Sequence, residues 1–183
     1  MESKIITQSG QIVDLHFPDM DSIKIDDIAH ALSNLCRFTG HTKNFYSVAQ
    51  HSVLVSYLVP AKYALQGLLH DASEAYLGDV SSPLKHVLQN YRLLECEMQA
   101  TINRVFGLPA IFHESIEWAD LCALKTEVRD LFPASVSKLP VWQYLDAYSA
   151  DSREILACDP ALAKHLFMHR FQQLHGSTNH AII

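Results

Sequence analysis

The sequence has no apolar run that approaches the length needed to span a bilayer. Its first residues, MESKIITQSG, lack the charged and then apolar pattern of a signal peptide. Its four cysteines show no CxxC spacing, so we expect reduced, buried thiols rather than disulfides or metal ligands. Together these absences predict a cytoplasmic protein with no membrane partner.

Positive charge is also scarce. The chain carries 14 Lys and Arg against 20 Asp and Glu, which gives a formal net charge of −6. A protein that binds a nucleic-acid polymer along its backbone needs a clustered cationic surface, so this balance argues against such a partner. A small phosphate ester is still compatible with it, because a bound metal ion and one or two local cations can hold that charge.

No internal repeat, low-complexity stretch or linker divides the 183 residues, of which 49% are hydrophobic and 19% charged. This composition is typical of one globular domain over residues 1–183. Two β-branched runs about Ser9 and Gly10 predict a small N-terminal hairpin. Apolar residues spaced three and four apart predict an otherwise all-α helical bundle, with helices over residues 25–37, 47–60, 64–77, 91–106, 113–131, 142–148 and 160–174.

The stretch ALQGLLHDASEAYL, residues 64–77, combines this periodicity with residues that can carry chemistry. Residues four apart share a helix face, so His70 and Glu74 are expected to look into one cleft with Asp71 beside them. An imidazole and two carboxylates suit a metal ion and the water that it activates.

Two further candidates lie on other predicted helices. His51 falls in the first turn after a capping box formed by Ser47 and Gln50. Asp120 interrupts an apolar stripe and is a candidate buried charge, which proteins rarely keep unless it is paired or metal-bound; the alternative is a surface carboxylate. Mixed nitrogen and oxygen donors suit a divalent ion such as Co, Mn, Zn, Mg, Fe or Ni.

The connector RFTGHTKN, residues 37–44, is a third feature. Arg37, Phe38 and His41 within five residues form a loop that could contact a phosphate and a sugar. The alternative is a solvated helix C-terminus, where the helix dipole favours Arg in any case.

The order H…HD…D on helices resembles the HD-domain superfamily of metal-dependent phosphohydrolases. Four blocks, which run in order within about residues 25–131, are similar to those of bacterial 5′-deoxynucleotidases of the YfbR and YfdR type, and phage deoxynucleotide phosphohydrolases are similar too. The blocks are Arg37-Phe38, AQHS at 49–52, HDASEAYLGDVSSPLK at 70–85 and WADLCALKTE at 118–127.

The resemblance implies a role for each matched residue. It implies four metal ligands, namely His51, His70, Asp71 and Asp120. Glu74, the second catalytic residue beside Asp71, would orient or deprotonate the attacking water. The substrate-binding residues would be Arg37 at the 5′-phosphate, Asp79 at the 3′-hydroxyl, Phe38 where YfbR-type relatives carry Trp against the 2′ carbon, and Lys85 and His41 as further phosphate contacts.

The resemblance therefore implies an enzyme that converts 5′-deoxynucleoside monophosphates to deoxynucleoside and phosphate. One alternative is a deoxynucleoside triphosphate phosphohydrolase that releases triphosphate or pyrophosphate, for which His41, Lys43, Lys85 and Arg129 are the available extra cations. Another is a catalytically silent nucleotide-binding module of the same fold. Because such relatives are often oligomers, we also expect a homo-oligomer.

Overall fold

A computed structural model describes residues 3–178. In this part of the chain a two-stranded antiparallel hairpin precedes nine α-helices, so the predicted all-α class with a small hairpin is confirmed. The strands are β1 (Lys4–Ile6) and β2 (Ile12–Asp14). The helices are α1 (Ile25–Asn34), α2 (Val48–Leu58), α3 (Ala64–Leu69), α4 (Glu74–Leu77), α5 (Ser82–Val87), α6 (Tyr91–Val105), α7 (Ser115–Leu131), α8 (Ala134–Ser137) and α9 (Pro160–Thr178).

The hairpin is fastened to the first helix by one carboxylate. Gly10 has a φ of 85° at its turn, a conformation that glycine adopts without strain. The Asp27 carboxylate in the first turn of α1 accepts hydrogen bonds from the Thr7 hydroxyl at 2.7 Å and from the Ser9 hydroxyl at 2.6 Å. The hairpin therefore forms part of the helical body.

The connector between α1 and α2 begins earlier than its sequence suggests. Helix α1 ends at Asn34 rather than at residue 37, because Cys36 and Ser47 form an isolated antiparallel bridge. The Arg37 amide donates to the Tyr46 carbonyl in the same pairing. This extended stretch turns the chain so that Arg37 lies beside α2, which Ser47 caps as predicted.

The main hydrophobic core lies among α1, α2, α3 and α9. Its buried members include Ile28, Leu32, Leu68, Leu69 and Phe167. Helix α9 lies beyond residues 25–131, where the family blocks are found, yet it contributes Ala163, Phe167 and Phe171 to this core. The C-terminal helix is therefore needed to close the body around the helices that carry the candidate site.

Helices α2 and α3 approach closely at one glycine. A Cβ atom on Gly67 would lie 3.2 Å from Ser56 Cα and 3.2 Å from Val59 Cγ2, both on the α2 side. Since such distances are tighter than ordinary packing, a larger residue would push the two helices apart. This contact sets the distance between His51 on α2 and His70 at the end of α3.

The continuous helix predicted over residues 64–77 is wrong. Helix α3 ends at Leu69, and a turn over residues 70–73 separates it from α4. In this turn the amides of Ala72 and Glu74 donate to carbonyls three residues earlier, at 3.2 and 3.0 Å, which winds the chain more tightly than an α-helix. The turn lets His70 and Asp71 point toward the same place, although neighbours in a regular helix diverge.

The cysteines are free, as expected, but of the four only Cys122 is buried, and Cys96 is exposed. The expectation of buried thiols was therefore wrong for most of them. Over residues 3–178, none of the helices combines the length and the hydropathy that a membrane crossing requires.

Candidate metal centre

Three side chains from separate helical segments meet at one point. They are His51 in the first turn of α2, His70 directly after α3 and Asp120 in α7, and one donor atom from each lies within 4.8 Å of the other two. His51 Nε2 is 3.1 Å from Asp120 Oδ1 and 3.4 Å from His70 Nε2. Two imidazole nitrogens and a carboxylate at these distances could hold a metal ion.

Asp71, the fourth predicted ligand, lies beside this group. Its Oδ2 atom is 3.2 Å from His70 Nε2 and 3.5 Å from His51 Nε2, and it also lies 3.6 Å from Arg37 Nη1. The structure therefore brings all four predicted ligands together. His51, His70 and Asp120 form the compact set, and Asp71 lies between that set and the guanidinium group of Arg37.

Both imidazoles are fixed at the ring nitrogen that faces away from the cluster. His70 Nδ1 lies 2.9 Å from the Gly67 carbonyl, and His51 Nδ1 lies 2.6 Å from Glu127 Oε1. A carbonyl or a carboxylate only accepts, so each Nδ1 carries a hydrogen and each Nε2 atom is left to face the cluster, where its lone pair can bind a metal ion once that nitrogen is deprotonated. Metal-binding histidines in proteins are held in this way.

The electrostatic field at His51 favours positive charge. Burial and the nearby Arg37 lower the pKa of His51, but the carboxylates of Glu127 and Asp120 outweigh them and raise it to about 10. The acids that surround the imidazole therefore stabilise a cation where its Nε2 atom points.

Asp120 belongs to the cluster, but not as the buried charge that its apolar neighbours suggested. Its side chain is 40% exposed. The cluster is therefore open to solvent on the α7 side, where a substrate or water could reach it, while His51 on the opposite side is fully buried.

Glu127 was not predicted as a site residue. It lies in α7 with no solvent exposure, and it contacts both His51 and Arg37. The signal for it was present in the sequence, because a residue seven positions after Asp120 returns to nearly the same helix face. Its burial depends on the packing of α7 against α2, which the spacing alone does not reveal.

Arg37 lies at the edge of the cluster and is 13% exposed. Its Nη2 atom donates to Glu127 Oε2 at 3.1 Å, while its Nε atom is buried with no hydrogen-bond partner among the described residues. Phe38 follows with a φ of 54°, and its ring packs edge-on against Phe132 at 5.1 Å. A left-handed backbone at a bulky residue is strained and occurs most often at functional sites.

Glu74 is a second buried acid near the cluster. Its Oε1 atom accepts from Lys85 Nζ at 3.3 Å, and in the described part of the molecule nothing pairs with its buried Oε2 atom. Burial, Asp71 and Asp79 together raise the pKa of Glu74 to about 9.

The remaining predicted substrate contacts, Asp79, Lys85 and His41, differ in how they lie relative to the cluster. Asp79 is half-buried near the site, and burial is the main cause of its raised pKa. Lys85 forms ion pairs with Glu74 and with Glu95, and the Oε1 atom of Glu95 lies 2.5 Å from Lys85 Nζ. His41 is exposed at the far end of the connector, and it is not one of the described residues that form the cluster.

The sequence of the chain is similar to those of two known bacterial proteins. No family model matches it. It is 44% identical to the uncharacterized protein YfdR of Escherichia coli over 154 residues, which cover 84% of this chain and 85% of the relative. It is also 35% identical to an uncharacterized protein of Rhodobacter capsulatus, over 67% of this chain and 70% of that one. The chain therefore belongs to the same family as YfdR of Escherichia coli.

Proposed function

We propose that this protein is a divalent-metal-dependent phosphohydrolase that removes phosphate from deoxynucleotides, with 5′-deoxynucleoside monophosphates as its favoured substrates. The observation that carries the proposal is the meeting of His51, His70 and Asp120 at one point. Beside this cluster, a cation and an acid each keep one buried atom without a partner among the described residues, namely Arg37 Nε and Glu74 Oε2.

His51, His70 and Asp120 would hold the ion, with Asp71 as a further oxygen donor. A bound divalent ion would polarise a phosphoryl oxygen and make a water molecule more acidic. The donor set fits a transition-metal ion, because it combines imidazole nitrogens with carboxylate oxygens and both rings are oriented by outer hydrogen bonds.

Arg37 would bind the phosphate of the substrate. Glu127 and Asp71 hold its terminal nitrogens at 3.1 and 3.6 Å, so the side chain is positioned before a ligand arrives. Its buried Nε–H needs an acceptor, and a phosphate oxygen supplies one. Positioning and charge neutralisation are the main requirements of phosphoryl transfer.

Glu74 would take the proton of the attacking water on its unpartnered Oε2 atom. A carboxylate whose pKa is raised to about 9 is a stronger base than an ordinary carboxylate. Positive charge at the neighbouring cluster favours the ionised form that this role requires.

The sugar would lie against Phe38 and Asp79. The ring of Phe38 is fixed by Phe132 and by the left-handed backbone, so it offers a rigid apolar wall. The Asp79 carboxyl would accept a hydrogen bond from the 3′-hydroxyl. Phe38 is smaller than the Trp of YfbR-type relatives, so discrimination against ribose would be weaker here.

The surroundings of the cations favour a monophosphate over a triphosphate. Arg129 is bound to Asp130 and to the carbonyls of Asp151 and Arg153, away from the cluster. Lys85 is paired with two acids. Arg37, which is not one of those extra cations, is the described cation that lies 3.6 Å from Asp71 beside the cluster.

Separate incubations with dAMP and dATP, each with Mn²⁺, Co²⁺, Ni²⁺, Zn²⁺ or Mg²⁺, test the proposal. We expect deoxyadenosine and inorganic phosphate from dAMP, with dATP consumed more slowly. Unchanged dAMP beside consumed dATP would support the triphosphate alternative. Nucleotide binding without phosphate release under any ion would support a silent module.

A further inference from the structure

The proposed function gives no chemical role to Glu127, although this side chain contacts both parts of the site. Its Oε1 atom lies 2.6 Å from His51 Nδ1, and its Oε2 atom lies 3.1 Å from Arg37 Nη2. One oxygen of the carboxylate therefore serves the metal cluster and the other serves the arginine that would bind phosphate.

A buried carboxylate such as that of Glu127 carries a desolvation penalty. Removing a carboxylate completely from water is unfavourable unless its partners are well placed. Glu127 has no exposed surface, and its two partners come from the connector after α1 and from α2, while it lies on α7 itself. It thus ties together three segments at the point where their functional side chains meet.

We propose that Glu127 is the positioning residue that couples the metal cluster to the phosphate-binding arginine. It holds the Nδ1–H of His51, so that Nε2 faces Asp120 and His70. It also holds Nη2 of Arg37, so that Nη1 faces Asp71 and Nε stays available to a ligand. The inference rests on the metal and phosphate sites of the proposed function, but it concerns binding rather than turnover.

The two contacts predict separable effects in two variants. Glu127→Ala removes both acceptors, so the affinities for metal and for phosphate should both fall. Loss of an outer partner of a metal-binding histidine weakens metal affinity by about 10–100-fold. In Glu127→Gln the amide oxygen can still accept from His51, while the amide NH₂ faces Arg37 and repels it.

The experiment measures Co²⁺ affinity by calorimetry and by the visible spectrum of the bound ion, and then inorganic phosphate affinity in excess Co²⁺. We expect Co²⁺ affinity to fall by about 10–100-fold in Glu127→Ala and by less in Glu127→Gln. Phosphate affinity should fall in both. Glu117→Gln, which alters an exposed acid on the same helix, should leave both affinities unchanged.

A purely structural ion pair would lower the melting temperature of the variants without separating these two affinities. A phosphate affinity in Glu127→Gln equal to that of the wild type would overturn the inference. If Glu127→Ala does not fold, the phosphate affinity of Glu127→Gln by itself tests the inference. Wild-type protein that binds Co²⁺ and phosphate yet hydrolyses no deoxynucleotide would reject the proposed function and leave this inference intact.

Discussion

Two buried glutamates near the cluster have opposite surroundings. Glu127 has a hydrogen-bond donor on each oxygen. Burial raises its pKa, but the opposing effect of Arg37 and His51 is larger, so the net pKa lies below the ordinary value for a glutamate. Glu74 has Lys85 on one oxygen, while the other oxygen has no partner in the part of the chain that the structure describes, and its pKa is raised to about 9. Burial alone therefore does not define an active-site acid.

The difference lies in what each carboxylate can still accept. The hydrogen bonds of Glu127 are already made within the protein, which suits a residue that positions others. Glu74 lies next to Asp71 and Asp79, whose negative charges oppose its ionisation, and it keeps an oxygen for a molecule that enters the site. Perturbed acids with unmet hydrogen-bonding capacity are candidates for catalysis.

The most severe test of this comparison removes the cluster that both acids flank. His70→Ala leaves one imidazole, so we expect metal affinity to fall by more than about 100-fold, beyond the loss caused by an outer partner. Phosphate release should fall with it. Metal content of the purified variant measures the first effect.

His16→Ala, which changes an exposed histidine near the hairpin, is the matched control and should retain wild-type metal content. Full metal occupancy in the His70→Ala variant would show that the ion lies elsewhere and that neither glutamate is a site residue.

A second test replaces Glu74 by glutamine, which keeps the shape and removes the base. We expect kcat for phosphate release to fall by about 10²–10⁴-fold, the usual contribution of general base catalysis, while metal content stays unchanged. Glu127→Gln should behave differently, with weaker phosphate binding rather than a selective loss of kcat.

Glu95→Gln serves as the control for Glu74→Gln, because Glu95 is the other acid bound to Lys85. A variant that lacks the Glu74 carboxylate yet turns over at the wild-type rate would remove the distinction between the two glutamates.

The pH dependence of stability gives a third test, in metal-free protein. The folded protein raises the pKa of Glu74 from 4.5 to about 9, so between these values the folded state keeps a proton that the unfolded state has lost. The stabilisation from this group is therefore complete below about pH 4.5 and is lost as the pH rises toward 9, by at most about 1.4 kcal/mol per pH unit.

Glu74→Gln abolishes this titration. The melting temperature of the variant relative to wild type should therefore increase steadily between pH 5 and pH 9 in the presence of a chelator. A difference that stays constant over this range would mean that the surroundings of Glu74 do not oppose its charge.

The smallest effect is expected for Lys85→Met, which keeps most of the aliphatic stem. Because Lys85 contacts Glu74 and Glu95, we expect a change of a few-fold in kcat, transmitted through Glu74, and little change in KM. A rise in KM at constant kcat would instead indicate that Lys85 contacts the phosphate directly. Steady-state kinetics with dAMP distinguishes this result from an effect transmitted through Glu74.

Local features of the chain were predictable because they depend on neighbours in sequence. The hairpin about Gly10, the cap at Ser47 and the helix ends near Pro60 follow from turn chemistry, capping and apolar periodicity. The candidate ligands could be chosen in the same way, since His51, His70, Asp71 and Asp120 stand out by residue type and by helical position.

Some site features were mispredicted because they depend on contacts between distant segments. The tight turn at residues 70–73 broke the helix expected over 64–77, and Asp120 proved half-exposed rather than buried. The pairing of Lys85 with two acids and the burial of Glu127 likewise arise only once α5, α6 and α7 are packed.

Most of the helical segments, and the side chains that can bind a cation, could be identified from the residues alone, because periodicity and donor chemistry are properties of the residues. Which of those side chains meet depends on how the helices pack. The close approach of α2 and α3 at Gly67 and the packing of α7 beside them set the separations among His51, His70 and Asp120. Those separations, and the presence of Glu127 behind them, depend on how whole helices fit together, which no local pattern contains.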